Sequence, residues 1–145
     1  MLLATPEETE GLGRSLAPQL RSGDVVALFG DLGAGKTTFT RGLLLGLGFE
    51  GDVASPTFPI VQVYEDLSPP LWHIDLYRIE DPDEIQELGL DDGRLDAALV
   101  IEWPERLGAS LWQDALQLQL SVGEAGGRSL TARVPPAWEG RWPPR

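Results

Sequence analysis

Apolar residues change their spacing along the chain, and each spacing predicts a different element. Leu12, Leu16 and Leu20 fall four apart, as on one face of a helix. The segment Thr5-Pro6-Glu7-Glu8 supplies its start. Thr5 serves as N-cap, Pro6 fits the first helical position, and Glu8 completes a capping box. Ser22-Gly23-Asp24 then breaks the pattern. Val25-Val26-Ala27-Leu28-Phe29 is apolar without interruption, which suits a central strand covered on both faces. After a glycine-rich loop, residues 38–47 predict a helix with Phe39, Leu43 and Leu47 on one side and Gly48 as its C-cap.

Residues 60–65 alternate as a strand and are broken by Asp66-Leu67-Ser68-Pro69-Pro70. Residues 71–77 predict another strand. Asp81-Pro82-Asp83-Glu84 opens a further helix with Ile85 and Leu88 turned inward. Ala97-Ala98-Leu99-Val100-Ile101 is a second fully apolar run, ended by Glu102-Trp103-Pro104. Leu116, Leu118, Leu120 and Val122 then alternate with polar residues, and after a turn at 124–128 Leu130, Ala132 and Val134 alternate again. That is an antiparallel hairpin with one wet face. The stretch 135–145 holds four prolines and two tryptophans and is expected to be irregular. The pattern predicts one α/β domain over 1–134, with a mixed sheet, followed by a Pro/Trp-rich tail.

Composition narrows the class. With 11 basic and 23 acidic residues the net charge is −12. Such a surface repels phosphate backbones, so nucleic acid is expected to be reached only through a partner. There is no cysteine, hence no disulfide framework or thiolate metal site. No apolar run approaches the roughly 18 residues of a membrane span. The N-terminus is acidic where a signal peptide would be basic. These features predict a soluble, cytoplasmic protein.

The loop Gly30-Asp31-Leu32-Gly33-Ala34-Gly35-Lys36-Thr37 carries the chemistry. It follows an apolar strand and opens an amphipathic helix, as a phosphate-binding loop requires. Its glycines admit positive φ and let the backbone approach an anion closely. The turned amides and the helix N-terminus converge on one anionic group. Lys36 adds a point charge for the outer phosphates, and the Thr37 hydroxyl is a hard ligand for Mg²⁺. Asp31, Leu32, Gly33, Ala34, Gly35 and Thr38 complete the expected nucleotide contacts.

A magnesium–phosphate site also needs a carboxylate at the end of a nearby strand. Glu102 ends the second apolar run and is assigned to Mg²⁺, directly or through water. Asp75 ends a less uniform strand and is assigned to the γ-phosphate side, orienting the metal shell or the attacking water. His73 shares a strand face with Asp75, although a lone histidine is more often structural. Thr57 lies in a loop where a hydroxyl can sense a γ-phosphate, as switch loops do.

Four segments occur in order: Gly-Asp-Leu-Gly-Ala-Gly-Lys-Thr-Thr at 30–38, Ser-Pro-Thr-Phe at 55–58, His-Ile-Asp-Leu-Tyr-Arg at 73–78 and Glu-Trp-Pro-Glu at 102–105. Together they resemble the TsaE (YjeE) family, bacterial ATPases of tRNA threonylcarbamoyladenosine formation, over roughly residues 5–134. The resemblance implies a P-loop NTPase-like three-layer domain with a mainly parallel sheet. It implies ATP and Mg²⁺ as ligands. It implies a partner, the two-protein threonylcarbamoyl transferase complex of TsaB and TsaD types, which modifies adenosine 37 of tRNAs reading ANN codons. ATP hydrolysis would reset that complex, and tRNA would be met only through it. By motif position Lys36 and Thr37 match phosphate and Mg²⁺ contacts, Glu102 a Mg²⁺ ligand, and Asp75 the acid needed for hydrolysis. Thr57 matches the threonine of the switch-like loop, Trp103 a tryptophan beside the nucleotide, and Arg128 a weaker position near it. Phe58 stands where a tyrosine is common, and the tail has no counterpart. A small-molecule kinase would use the same loop, and a nucleotide-binding module without turnover would share its residues. No acceptor-binding cluster favours the kinase.

Overall fold

The computed structural model describes residues 1–31, 33–51, 60–123 and 125–144. The predicted motif 55–58, with Thr57, and the loop residue Leu32 lie outside them. The described chain runs β1 (Leu2–Leu3), α1 (Pro6–Leu16), β2 (Val25–Phe29), α2 (Lys36–Gly46), β3 (Val61–Tyr64), β4 (Leu71–Asp75), α3 (Pro82–Glu87), α4 (Leu90–Gly93), β5 (Ala98–Glu102), β6 (Leu116–Val122) and β7 (Arg128–Arg133). The strands form one sheet in the order β1-β7-β6-β2-β5-β4-β3. Its four central strands are parallel, and the outer pairs are antiparallel. This is the mixed α/β sheet the sequence predicts, parallel at its centre as the family resemblance implies. β1, only two residues long, had no periodicity to announce it.

The apolar runs are buried as expected. Val25 to Leu28 and Ala98 to Ile101 are all fully covered. Their alternate residues face two different cores. Val26, Leu28 and Val100 pack under α1 and α2 with Phe39, Leu43 and Leu44. Val25, Leu99 and Ile101 pack on the opposite face with Leu90 and Leu107, and Ile85 lies against them. Helical cover on both faces is what parallel strands require.

The capping box forms at α1: Thr5 Oγ1 accepts the Glu8 amide at 3.2 Å, and the Glu8 carboxylate accepts the Thr5 amide at 3.1 Å. The helix stops at Leu16, and a 3-10 turn at Ala17–Gln19 follows. Leu20 is therefore buried from extended backbone (φ −76°, ψ 138°), and the spacing of four overextended the helix. α2 begins at Lys36, two residues earlier than predicted, because the loop itself caps it. In the hairpin, Leu116, Leu118, Leu120 and Leu130 face the core, but Val122 and Ala132 are exposed. The alternation there outruns the cover the helices provide.

The tail is held on the body. Pro136–Trp138 forms a 3-10 turn, and Trp138 is completely buried in the α1–α2 core. Arg141 donates to both carboxylate oxygens of Asp24, at 2.7 and 3.0 Å, and to the carbonyls of Gln19 and Ala137. Its guanidinium lies 4.0 Å from the Trp138 ring centre. Eleven residues without periodicity gave no sign of this long-range contact.

Two glycines set how closely α1 and α2 meet. A Cβ on Gly13 would stand 2.1 Å from the Phe39 carbonyl oxygen, and one on Gly42 would stand 1.9 Å from that of Glu10. No side chain fits at either distance, so the helix backbones touch. Gly11, on the same helix as Gly13, has no atom of the described residues within 4 Å of such a Cβ. Gly42→Ala is therefore expected to lower stability by about 3 kcal/mol or more, through forced separation of the helices. Gly11→Ala should raise it by about 0.5–1 kcal/mol, through helix propensity alone. Urea unfolding of the two variants checks both signs.

Candidate functional site

Ligand sites in open α/β sheets lie beyond the carboxyl ends of the strands. A cleft of about 250 Å³ opens there, lined among others by Gly35, Lys36, Thr37, Asp75, Glu102 and Arg128. β2 delivers the loop, α2 starts at Lys36, and β4 and β5 end beside them. The β4–β5 register pairs Asp75 with Glu102 and His73 with Val100, which puts the two acids side by side at the mouth.

Gly33 and Gly35 take φ of +80° and +107°, the left-handed backbone the loop needs. Lys36 is only 4% exposed. Its ammonium donates to the Gly30 carbonyl at 2.6 Å and sits 3.9 Å from the centre of the Trp103 ring. Burial lowers its pKa below the ordinary 10.5, and Glu102, Glu105, Asp75 and Asp31 partly offset that. Because the folded value is below the unfolded one, the charged form opposes folding. The stability this group removes returns as pH rises through the folded value toward 10.5.

Trp103 has φ +58° and ψ +48°, a conformation rare for a large side chain. It precedes Pro104, which disfavours right-handed helix at this position. The Lys36 contact and the Tyr77 ring, 4.9 Å away between centres, hold it over the cleft.

Glu102 is 3% exposed and needs partners. His73 Nε2 lies 2.6 Å from its Oε2, and the Thr37 hydroxyl is 3.4 Å from each carboxylate oxygen. His73 itself is fully buried, and among the described residues its Nδ1 has no hydrogen-bond partner. The carboxylate partner therefore fixes Nε2–H as the donor. Asp75 is half-buried, and its Oδ1 accepts the Tyr77 amide at 3.0 Å.

The predicted residues Gly33, Gly35, Lys36, Thr37, Thr38, Asp75, Glu102, Trp103 and Arg128 thus share one cleft. Asp31 is exposed, and Ala34 is buried behind the loop. Thr57 and Leu32 cannot be placed, being outside the described residues. Arg128 reaches the loop through its carbonyls: Nε donates to Ala34 at 3.1 Å, Nη2 to Gly33 at 3.0 Å, and Nη1 to Gly126 at 2.7 Å. It ties the hairpin turn to the loop.

Sequence reasoning missed the wall formed by Leu3 to Pro6 and Thr9. One signal was available. Thr9 lies three and seven residues before Leu12 and Leu16, so a hydroxyl sits on the apolar stripe of α1. The contact between His73 and Glu102 depends on strand register and left no trace in the sequence.

The strand–loop–helix unit, the sheet around it and the acids beside it define an α/β protein of the P-loop NTPase type. A model of the family described as threonylcarbamoyl adenosine biosynthesis protein TsaE matches residues 3–130. The chain belongs to the TsaE family. It is 50% identical over 118 residues to the Streptomyces coelicolor protein called tRNA threonylcarbamoyladenosine biosynthesis protein TsaE, covering 78% of this chain and 80% of that one. The Bacillus subtilis protein of the same description is 42% identical over 127 residues, covering 87% and 79%. The crystal structure of Bacillus subtilis YdiB superposes with a TM-score of 0.80 at 33% identity, covering 97% of this chain and 88% of that one.

The buried pair gives a stability test. His73→Leu leaves Glu102 without its closest donor and should lower stability by about 1–3 kcal/mol. Replacing both partners, as His73→Leu with Glu102→Met, should cost less than the sum of the single changes. Chemical denaturation of the double-mutant cycle measures that coupling.

Proposed function

We propose that the chain binds ATP with Mg²⁺ in this cleft and hydrolyses it as a subunit of tRNA threonylcarbamoyladenosine formation. The single observation that carries the proposal is the meeting of Lys36, Thr37 and Glu102 at the head of a glycine-rich loop. The donor chemistry fits the metal. Adjacent ligands of an octahedral Mg²⁺ with bonds of about 2.0–2.1 Å stand about 3 Å apart. The Thr37 hydroxyl and the Glu102 oxygens face each other at 3.4 Å. Mg²⁺ of this type takes one or two protein ligands and completes its shell with phosphate and water. When bound, it would neutralise the charge that develops on the phosphates.

The protein's own groups have distinct tasks. The Lys36 ammonium exchanges the Gly30 carbonyl for phosphate oxygens, whose charge offsets the cost of its burial. Loop amides and the N-terminus of α2 hold the remaining oxygens. Glu102, held by His73, presents its carboxylate to the metal. Asp75, the register partner of Glu102, orients the attacking water and accepts its proton. Trp103 excludes bulk water from the same end. Arg128 keeps the Gly33 and Ala34 carbonyls turned away from the anion. Thr57 remains the proposed sensor of the γ-phosphate.

P-loop enzymes gain much of their rate from an arginine at the transition state, in some cases supplied by a partner. Arg128 is engaged by loop and turn carbonyls, and Arg106 donates to the Tyr77 carbonyl. This supports a slow basal reaction that rises in a complex. We assign that complex to the two-protein threonylcarbamoyl transferase of the TsaB and TsaD types, which modifies adenosine 37 of tRNAs reading ANN codons. ATP turnover would reset it in the cytoplasm, and tRNA would be met only through it. Among the described residues no helix is long and apolar enough to cross a membrane.

Phosphate release from ATP, alone and with the transferase complex, tests this directly. Release should be slow alone and faster in the complex. Lys36→Ala should abolish nucleotide binding. Asp75→Ala should retain binding and lose about 100-fold or more in turnover. Normal hydrolysis by Asp75→Ala would remove that residue from its assigned role.

A further inference from the structure

The two oxygens of the Glu102 carboxylate are alike toward Thr37 and unlike toward β4. The Thr37 hydroxyl is 3.4 Å from each of them. His73 Nε2 lies 2.6 Å from Oε2 and so engages one oxygen of the pair. The sheet sets this difference. His73 is the register partner of Val100, two residues before Glu102, so its ring reaches the carboxylate along the diagonal between β4 and β5. Leu71 and Val100 belong to the core under α1 and α2, and alternation puts His73, Asp75 and Glu102 on that same face. The imidazole is fully buried, so bulk water does not compete for the carboxylate from its side.

This bond changes what the carboxylate has to offer. An ionised carboxylate accepts through either oxygen. An N–H held at 2.6 Å draws on the charge of Oε2 and fixes the angle of the group. Oε1 keeps its charge for the cleft. Divalent ions differ in what they require. Mg²⁺ takes single oxygens at about 2.0–2.1 Å in an octahedron, whereas Ca²⁺ takes more oxygens at about 2.3–2.6 Å, often both of one carboxylate.

We propose that His73 is a positioning residue that leaves Glu102 one metal-facing oxygen, Oε1, and thereby selects Mg²⁺ over Ca²⁺. This selection presupposes the reading of the cleft as a site for ATP with a divalent ion, given above. It assigns a task to a buried histidine that touches neither nucleotide nor metal.

Calorimetric titration with ATP, in excess Mg²⁺ and again in excess Ca²⁺, of wild type, His73→Leu, His73→Phe and His73→Gln tests the assignment. Melts without ligand show whether each chain is folded. Wild type should bind ATP more tightly with Mg²⁺ than with Ca²⁺. His73→Leu removes the donor and should weaken binding with Mg²⁺ about tenfold, the usual size for losing a hydrogen bond to a metal-holding carboxylate. Binding with Ca²⁺ should fall less, because the freed Oε2 can join the larger shell, so the preference for Mg²⁺ shrinks. His73→Phe fills the space of the ring without a donor. It should behave as His73→Leu does, and it carries the test where His73→Leu does not fold. His73→Gln brings an amide N–H near the position of Nε2–H and should keep the wild-type preference. A preference unchanged in the two donor-less variants, or lost equally in His73→Gln, overturns the selection while nucleotide binding stands. Wild type binding ATP equally well with either ion also overturns it. A wild-type chain that binds no ATP overturns the nucleotide proposal and this selection with it.

Discussion

A lysine ammonium held almost out of water is the constraint on which the rest of the structure depends. An isolated buried charge is strongly disfavoured. Lys36 escapes that only because the chain gathers a carbonyl at 2.6 Å, an indole face at 3.9 Å and acids around it. Each of these comes from a different place in the sequence. Gly30 comes from the loop, Trp103 from the turn after β5, and Glu102 and Asp75 from two neighbouring strand ends. The left-handed backbone at Trp103 makes sense in the same terms: it lays the ring over the ammonium, and Pro104 removes the helical alternative. Such an arrangement is poised for an anion, because a phosphate oxygen would serve the ammonium better than one neutral carbonyl does.

The scaffold that holds this arrangement is divided by end. At the carboxyl ends of the strands lie the loop, the acids and the cleft. At the opposite ends, arginines fasten the chain. Arg141 pairs with Asp24, just before β2. Arg94 donates to the Gly23 carbonyl at 2.6 Å and pairs with Asp114, two residues before β6. Trp138 closes the α1–α2 core. Damage at that end should therefore act through stability, whereas damage at the cleft can act on chemistry without unfolding the chain.

What the sequence made legible was local. The capping box at Thr5, the two apolar strands and the glycine-rich loop are patterns within a few residues, and each appears where the spacing puts it. Asp75 and Glu102 could be named because both end strands, and parallel strand ends collect at one edge. The rest was set by long-range pairing. β1 is too short for periodicity, and its place beside β7 follows only from the assembled sheet. His73 meets Glu102 because β4 and β5 align in one register, and nothing near either residue encodes that register. Thr9 had a sign, a hydroxyl on an apolar stripe, but its meaning depended on what α1 packs against. The hairpin shows the reverse error. Alternation continued to Val122 and Ala132, yet the covering helices did not reach them.

The same division bears on why α1 belongs to the site as much as to the core. Its capping box fixes where the helix starts, and Gly13 and Gly42 fix how near it lies to α2. A side chain at either glycine would push the helices apart and carry Thr9 away from the loop. Larger residues there would bury more apolar area, which ordinarily favours folding. The chain instead gives up that area for backbone contact. Backbone contact at Gly13 and Gly42 fixes how near the first helix lies to the helix that opens at the glycine-rich loop.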